Sequence, residues 1–168
     1  MRGIFIIVSI FTLTSCWPTR VGFKDQNFPE EWKVFHVKTL DNNSSNTPLS
    51  YPANLSEAIK DGIQNNTSLA LGVSPDDAQL QIEGTIGSYT ITPVAILEGD
   101  QASQNRLTVS ATFNIYINEP EEDEMTLRST RFIDYDASTD LGVVESTLLD
   151  AVSEQIVQDV INQLFSNW

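Results

Sequence analysis

The chain has 168 residues, with 23 acidic side chains against nine Lys and Arg and a formal net charge of −14. That length is one domain's worth, and a chain of ~150 residues buries about 70% of its unfolded surface, so a core forms without staples. The acidic balance leaves no basic field to hold a phosphate backbone, which excludes nucleic acid as a partner, and an apolar fraction of 40% excludes a disordered chain.

The N-terminus speaks about compartment. Arg2 precedes an apolar run from Gly3 to Leu13, too short for a helix that needs ~20 apolar residues to cross a bilayer and suited to the hydrophobic region of a signal peptide. It ends in Leu13-Thr14-Ser15-Cys16, and Cys16 is the single cysteine. These residues resemble the bacterial lipobox, which implies cleavage before Cys16, a diacylglyceryl group on its sulfur and palmitate among the attached acyl chains. Residues 1–15 are therefore expected to be a lipoprotein signal peptide, 16–31 a lipidated tether, and 32–168 a single α+β domain. With the only cysteine lipidated, no disulfide can form and packing must carry the stability. Trp17 stands where an inner-membrane retention Asp would sit, so the outer membrane is the expected destination, with the domain on its periplasmic side.

Trp32 to Lys38 alternates apolar and polar residues and predicts a first strand, with Trp32, Val34 and His36 on one face and Lys33, Phe35 and Val37 on the other. Asn42 to Pro52 is rich in Asn, Ser and Pro and reads as a loop. The Asn-x-Ser/Thr patterns at Asn42, Asn43, Asn54 and Asn65 are read as loop and cap residues. Asn54-x-x-Glu57 resembles a capping box, and Leu55, Ile59 and Ile63 recur along a short helix that stops at Asn65-Asn66. Leu69 to Gly72 is a weak strand start. The clear second strand carries Leu80, Ile82, Gly84 and Ile86 in alternation with Gln79, Gln81, Glu83 and Thr85, and Gly87 interrupts it before Tyr89 and Ile91, which predicts a bulge.

Leu107, Val109, Ala111, Phe113, Ile115 and Ile117 alternate with polar residues in the strongest strand of the chain. An acidic turn follows over 119–124, and Met125 to Tyr135 returns as a strand, completing an antiparallel meander. From Asp140 onward Leu141, Val144, Leu148, Val152, Ile156, Val160 and Leu164 recur at helical spacing. A helix of about 25 residues spans roughly 38 Å and needs a sheet to cover its stripe. The order β-α-β-β-β-α predicts an α+β two-layer sandwich: a four-stranded sheet with two helices on one face.

Nothing in the chain points to catalysis or to a metal or cofactor. His36 stands alone, and no nucleophile elbow, zinc motif or phosphate loop is present. Asp134 and Asp136 share one strand face and could share a proton or a cation, or serve a turn before the last helix. The acids of 119–124 lack the glycine and spacing of a calcium loop and read as a solvated hairpin.

Gln81-Ile82-Glu83-Gly84, Tyr89-x-x-x-Pro93-Val94-Ala95, Asn105-Arg106-Leu107-Thr108, Arg131-Phe132-Ile133-Asp134-Tyr135 and the terminal Asn167-Trp168, behind a lipobox, resemble the Bacteroidetes branch of the LptE family. The resemblance spans residues 16 to 168. It implies an outer-membrane lipoprotein that plugs the β-barrel of an LptD-type partner and helps that complex insert lipopolysaccharide into the outer leaflet. The alternative is a periplasm-facing lipoprotein that binds a small ligand or another envelope complex. Arg106, Arg128 and Arg131 are the bases on predicted strands and the candidate contacts to lipopolysaccharide or partner. They either converge at one sheet edge or pair with neighbouring acids such as Asp134.

Overall fold

The computed structural model describes residues 29–96 and 102–166. The expected signal peptide, Cys16 and most of the expected tether lie outside the described residues, as does the Asn167-Trp168 terminus. Strand β1 (Val34–Val37) and a two-residue β2 (Asp41–Asn42) lead to helix α1 (Tyr51–Asn66). A two-residue β3 (Ala70–Leu71) follows, then the long strands β4 (Leu80–Ile96), β5 (Ala102–Ile117) and β6 (Asp123–Asp136), and finally helix α2 (Leu141–Phe165). The sheet runs β3-β1-β4-β5-β6, with β2 also paired to β4.

The α+β sandwich is as read from the sequence, but among the described residues the sheet has six strands instead of four. Both extra strands are only two residues long, below the length at which an alternating pattern can be seen. They pair in parallel, β3 with β1 and β2 with β4, and β1 itself lies parallel to β4. The meander of β4, β5 and β6 is antiparallel as expected, and its register shifts between Ile86 and Ser88, at the predicted Gly87 bulge.

Helix α1 starts at Tyr51, ahead of the expected Asn54, and its N-cap Ser50 makes no side-chain cap bond. Pro52 occupies the first turn, where its missing N–H costs nothing, and this outweighs the capping-box pattern. The first strand also corrects the reading: Phe35 and Val37 are its buried pair, and Trp32 is buried with them because it precedes the strand and escapes its alternation. Trp32 Nε1 donates to the Glu119 carbonyl at 2.7 Å and pins the start of the domain to the β5–β6 turn. Strand β6 begins two residues earlier than expected, taking Asp123 and Glu124 out of the acidic turn.

Helix α2 matches the reading closely. The Asp140 carboxylate caps it by accepting from the Gly142 N–H at 2.8 Å, and Leu148, Val152, Ile156 and Val160 are buried. They join Leu55, Ile59 and Ile63 of α1 and Val109, Ala111 and Phe113 of β5 in one cluster between helices and sheet. No helix among the described residues is long and apolar enough to cross a membrane.

Candidate functional site: the uncovered face of the sheet

Alternation along the meander sends its apolar residues to the helices and leaves a polar face with no helix over it. That face carries Thr108, Ser110, Thr112 and Asn114 of β5 beside Thr126, Arg128, Thr130, Phe132 and Asp134 of β6, all at least partly exposed. Register partners bond across it. Ser110 and Thr130 hydroxyls lie 2.9 Å apart, Thr126 donates to Asn114 Oδ1 at 3.4 Å, and Arg106 grips Asp134 through Nε at 2.7 Å and Nη2 at 2.9 Å. The Arg106 guanidinium also lies over the Phe132 ring, 3.8 Å from its centroid.

The three candidate arginines do not converge. Arg106 and Arg128 occupy the uncovered face. Arg131, at an odd position of β6, points to the opposite face, where Asp159 of α2 takes its Nε at 2.7 Å and its Nη2 as well. The buried Ser129 hydroxyl donates to the same carboxylate at 2.6 Å. Burial pushes the Asp159 pKa up, but the bonds from Arg131 and Ser129 outweigh it and hold the group below the usual carboxylate range. Asp134 is likewise lowered, chiefly by the Arg106 bond, while Arg106 is raised by the same contact. Sequence reasoning missed the Arg131–Asp159 clamp because its partners lie 28 positions apart on different elements. The odd–even alternation of β6 did carry a signal, since it separates Arg131 from Arg128.

Asp134 and Asp136 serve structure. Asp136 accepts from Ser138 through the backbone N–H at 2.8 Å and the hydroxyl at 2.6 Å, forming the turn into α2, and these bonds lower its pKa. His36 Nδ1 sits 3.2 Å from the Gly72 carbonyl oxygen, next to the β1–β3 pair. Near β2 the uncovered face has a depression of about 90 Å³ lined by Asp41, Glu83, Gly84, Thr85, Thr112 and Asn114. It is well below the roughly 300–1,000 Å³ of small-molecule sites. Its carboxylates would repel a phosphate. Among the described residues no group of His, Cys, Asp or Glu is placed to hold a metal ion.

Fold and site thus define a small α+β sandwich whose most accessible feature is a broad polar sheet face. Residues 32–165 match the family model LptE, described as lipopolysaccharide-assembly, and the chain belongs to that family. Comparison with solved structures finds an uncharacterized lipoprotein B from Nitrosomonas europaea, with TM-score 0.58 at 10% identity over 89% of this chain and 92% of that one. It also finds protein XCC0632 from Xanthomonas campestris, with TM-score 0.50 at 11% identity over 80% and 84%. A minor lipoprotein from Acinetobacter baumannii has TM-score 0.49 at 18% identity over 81% and 94%. At these identities the first two establish a shared fold. A search of curated proteins finds no match.

Proposed function

We propose that the chain is a non-catalytic lipoprotein of the outer membrane, anchored through Cys16, that plugs an LptD-type β-barrel and supports its insertion of lipopolysaccharide into the outer leaflet. The observation that carries this reading is the family match, which spans nearly all of the described fold. The sheet supports it physically. A plug has to meet a polar barrel lumen, and the Thr, Ser and Asn side chains between Thr108 and Asn114 offer hydroxyls and amides on a face that no helix occupies. Lipid on Cys16 would hold the domain beside the barrel, with the residues before Trp32 as tether.

Purification of the tagged lipoprotein from outer membranes is expected to bring down a large β-barrel, identified by mass spectrometry. Depletion should lower surface lipopolysaccharide and barrel abundance together. If both stay normal while another envelope process fails, the protein serves a different complex. Replacing Cys16 with Ala should remove the lipid mass and shift the protein out of the membrane fraction, except for the share that a barrel retains.

A further inference from the structure

The register lines up four residues across the uncovered face: Asp41 of β2 opposite Thr85 of β4, Thr85 opposite Thr112 of β5, and Thr112 opposite Arg128 of β6. Directly paired residues share a face, so all four stand on the side away from the helices, where the depression is lined by three of them. Three inter-strand steps of about 4.8 Å set the carboxylate end of this row about 14 Å from its guanidinium end.

Both ends are exposed, and neither Asp41 nor Arg128 has a side-chain hydrogen bond or an ion pair among the described residues. The charges around them are already matched: Lys38 lies 3.5 Å from Glu83, Arg106 holds Asp134, and Arg131 is on the other face with Asp159. The flanking rows add Asn114 and Thr126 on one side and Ser110 and Thr130 on the other, all uncharged. In a chain of net charge −14 the middle of this face is thus neutral, with one free charge of each sign at its margins. Interface cores are depleted in charge, and here an acidic domain can come against another surface without repulsion.

Shape selects the partner. The β5–β6 ladder has no register shift from Gln104↔Asp136 to Ile117↔Asp123, and the depression at the Asp41 end holds about 90 Å³, room for the head of one side chain. A glycolipid phosphate would find one free cation in the row and a free carboxylate at its other end. A β-sheet wall fits both, because its side chains recur at the same inter-strand step and those three strands apart match the spacing of Asp41 and Arg128. The polar inside of a barrel is such a wall. We propose that this row docks on the inner wall of the barrel partner: a basic side chain of the wall enters the depression to meet Asp41, and an acidic one three strands on meets Arg128. This docking rests on the barrel reading and adds to it the face that meets the wall and the charges the wall carries. Enclosed between two sheets, the two pairs also fix orientation, since half a turn about the face normal sets like charges together.

The test purifies the tagged full-length lipoprotein from outer membranes, as wild type and as two charge reversals. Arg128→Glu and Asp41→Lys should each lower the barrel recovered per lipoprotein by about tenfold or more, because each sets like charges against each other. Both should leave the melting temperature of the purified lipoprotein in place, since neither side chain has an internal partner. A photo-crosslinking residue at position 112, beside Arg128 in the row, should join the barrel at a lumen-facing strand position. Changing the wall carboxylate nearest that crosslink to Lys should restore recovery with Arg128→Glu. If wild type brings down the barrel and both reversals bring down as much, or if the crosslink lands on glycolipid, or if the rescue fails, the docking is overturned while the barrel reading stands. If wild type brings down no barrel, both are overturned.

Discussion

Asp159 of α2 and Arg131 of β6 form a two-pronged ion pair that clamps the last helix to the edge strand, with the Ser129 hydroxyl bonded to the same carboxylate. The Asp159 side chain is only 14% exposed, whereas Arg131 is 44% exposed, so the clamp is half screened. Asp159→Asn keeps the shape but removes the charge that both donors need, and should cost about 1–3 kcal/mol. Because the folded-state pKa of Asp159 lies below its unfolded value, the clamp contributes fully above the ordinary carboxylate pKa of ~3.9 and is lost as pH falls through the folded value. Melting curves taken from neutral pH down to about pH 2 should show the wild-type and Asp159→Asn proteins converging on the acid side. A constant gap at all pH values would refute the charge-based account.

Ile156 is fully buried where α2 meets the sheet. Truncation to Ala removes methyl groups from the middle of the single core cluster and should destabilise by ~2–5 kcal/mol, the range for buried aliphatic side chains. In a domain of this size each kcal/mol lowers the melting temperature by roughly 2–4 °C. An unchanged melting temperature would mean that the α2 stripe serves a partner and not the core.

Gly62 of α1 lets the two helices approach so closely that a methyl group on it would fall on Cγ1 of Val157. A β-branched side chain in a helix has little rotamer freedom to move aside. Gly62→Ala should therefore destabilise by about 1–2 kcal/mol, overpacking outweighing the up to ~1 kcal/mol that alanine gains in a helix. The double variant Gly62→Ala/Val157→Ala tests the cause, since it should recover most of the loss. If it melts no higher than the single variant, the contact is not what makes glycine necessary.

The parts of this fold visible in the sequence are those long enough to repeat a period. The Leu141–Phe165 helix and the Leu107 to Ile117 alternation each bury one stripe over several turns or pleats, and both appear where expected. Strands β2 and β3 are held by their neighbours: Asn43 donates to the Ile86 carbonyl at 2.9 Å and Gly72 to the Phe35 carbonyl at 2.7 Å. Such tertiary bonds leave no local pattern. The candidate site was legible as a face, because Thr108, Ser110, Thr112 and Asn114 stand at even positions of an amphipathic strand. It was not legible as a charge arrangement, because Arg131 and Arg106 take their partners from α2 and the neighbouring strand respectively, at distances along the chain that composition does not encode.

Glycolipid binding by the isolated domain should be weak and should depend on the uncovered face alone. Arg106 is held by Asp134 and stacked on Phe132, so a phosphate must compete with an existing bidentate partner. Arg128 is exposed on the same face opposite Thr112, free of any acidic partner among the described residues, and is the better anion contact. Arg131 lies on the other side of the sheet and its charge is already neutralised. Titration of the purified lipoprotein with lipopolysaccharide should therefore show Arg128→Ala lowering affinity most and Arg106→Ala less. Arg131→Ala should leave affinity in place while lowering the melting temperature. The net charge of −14 opposes an anionic lipid at long range, and Mg²⁺ should strengthen the interaction by bridging phosphate to surface carboxylates. Tight binding that needs no metal and survives Arg106→Ala/Arg128→Ala would place recognition elsewhere on the molecule.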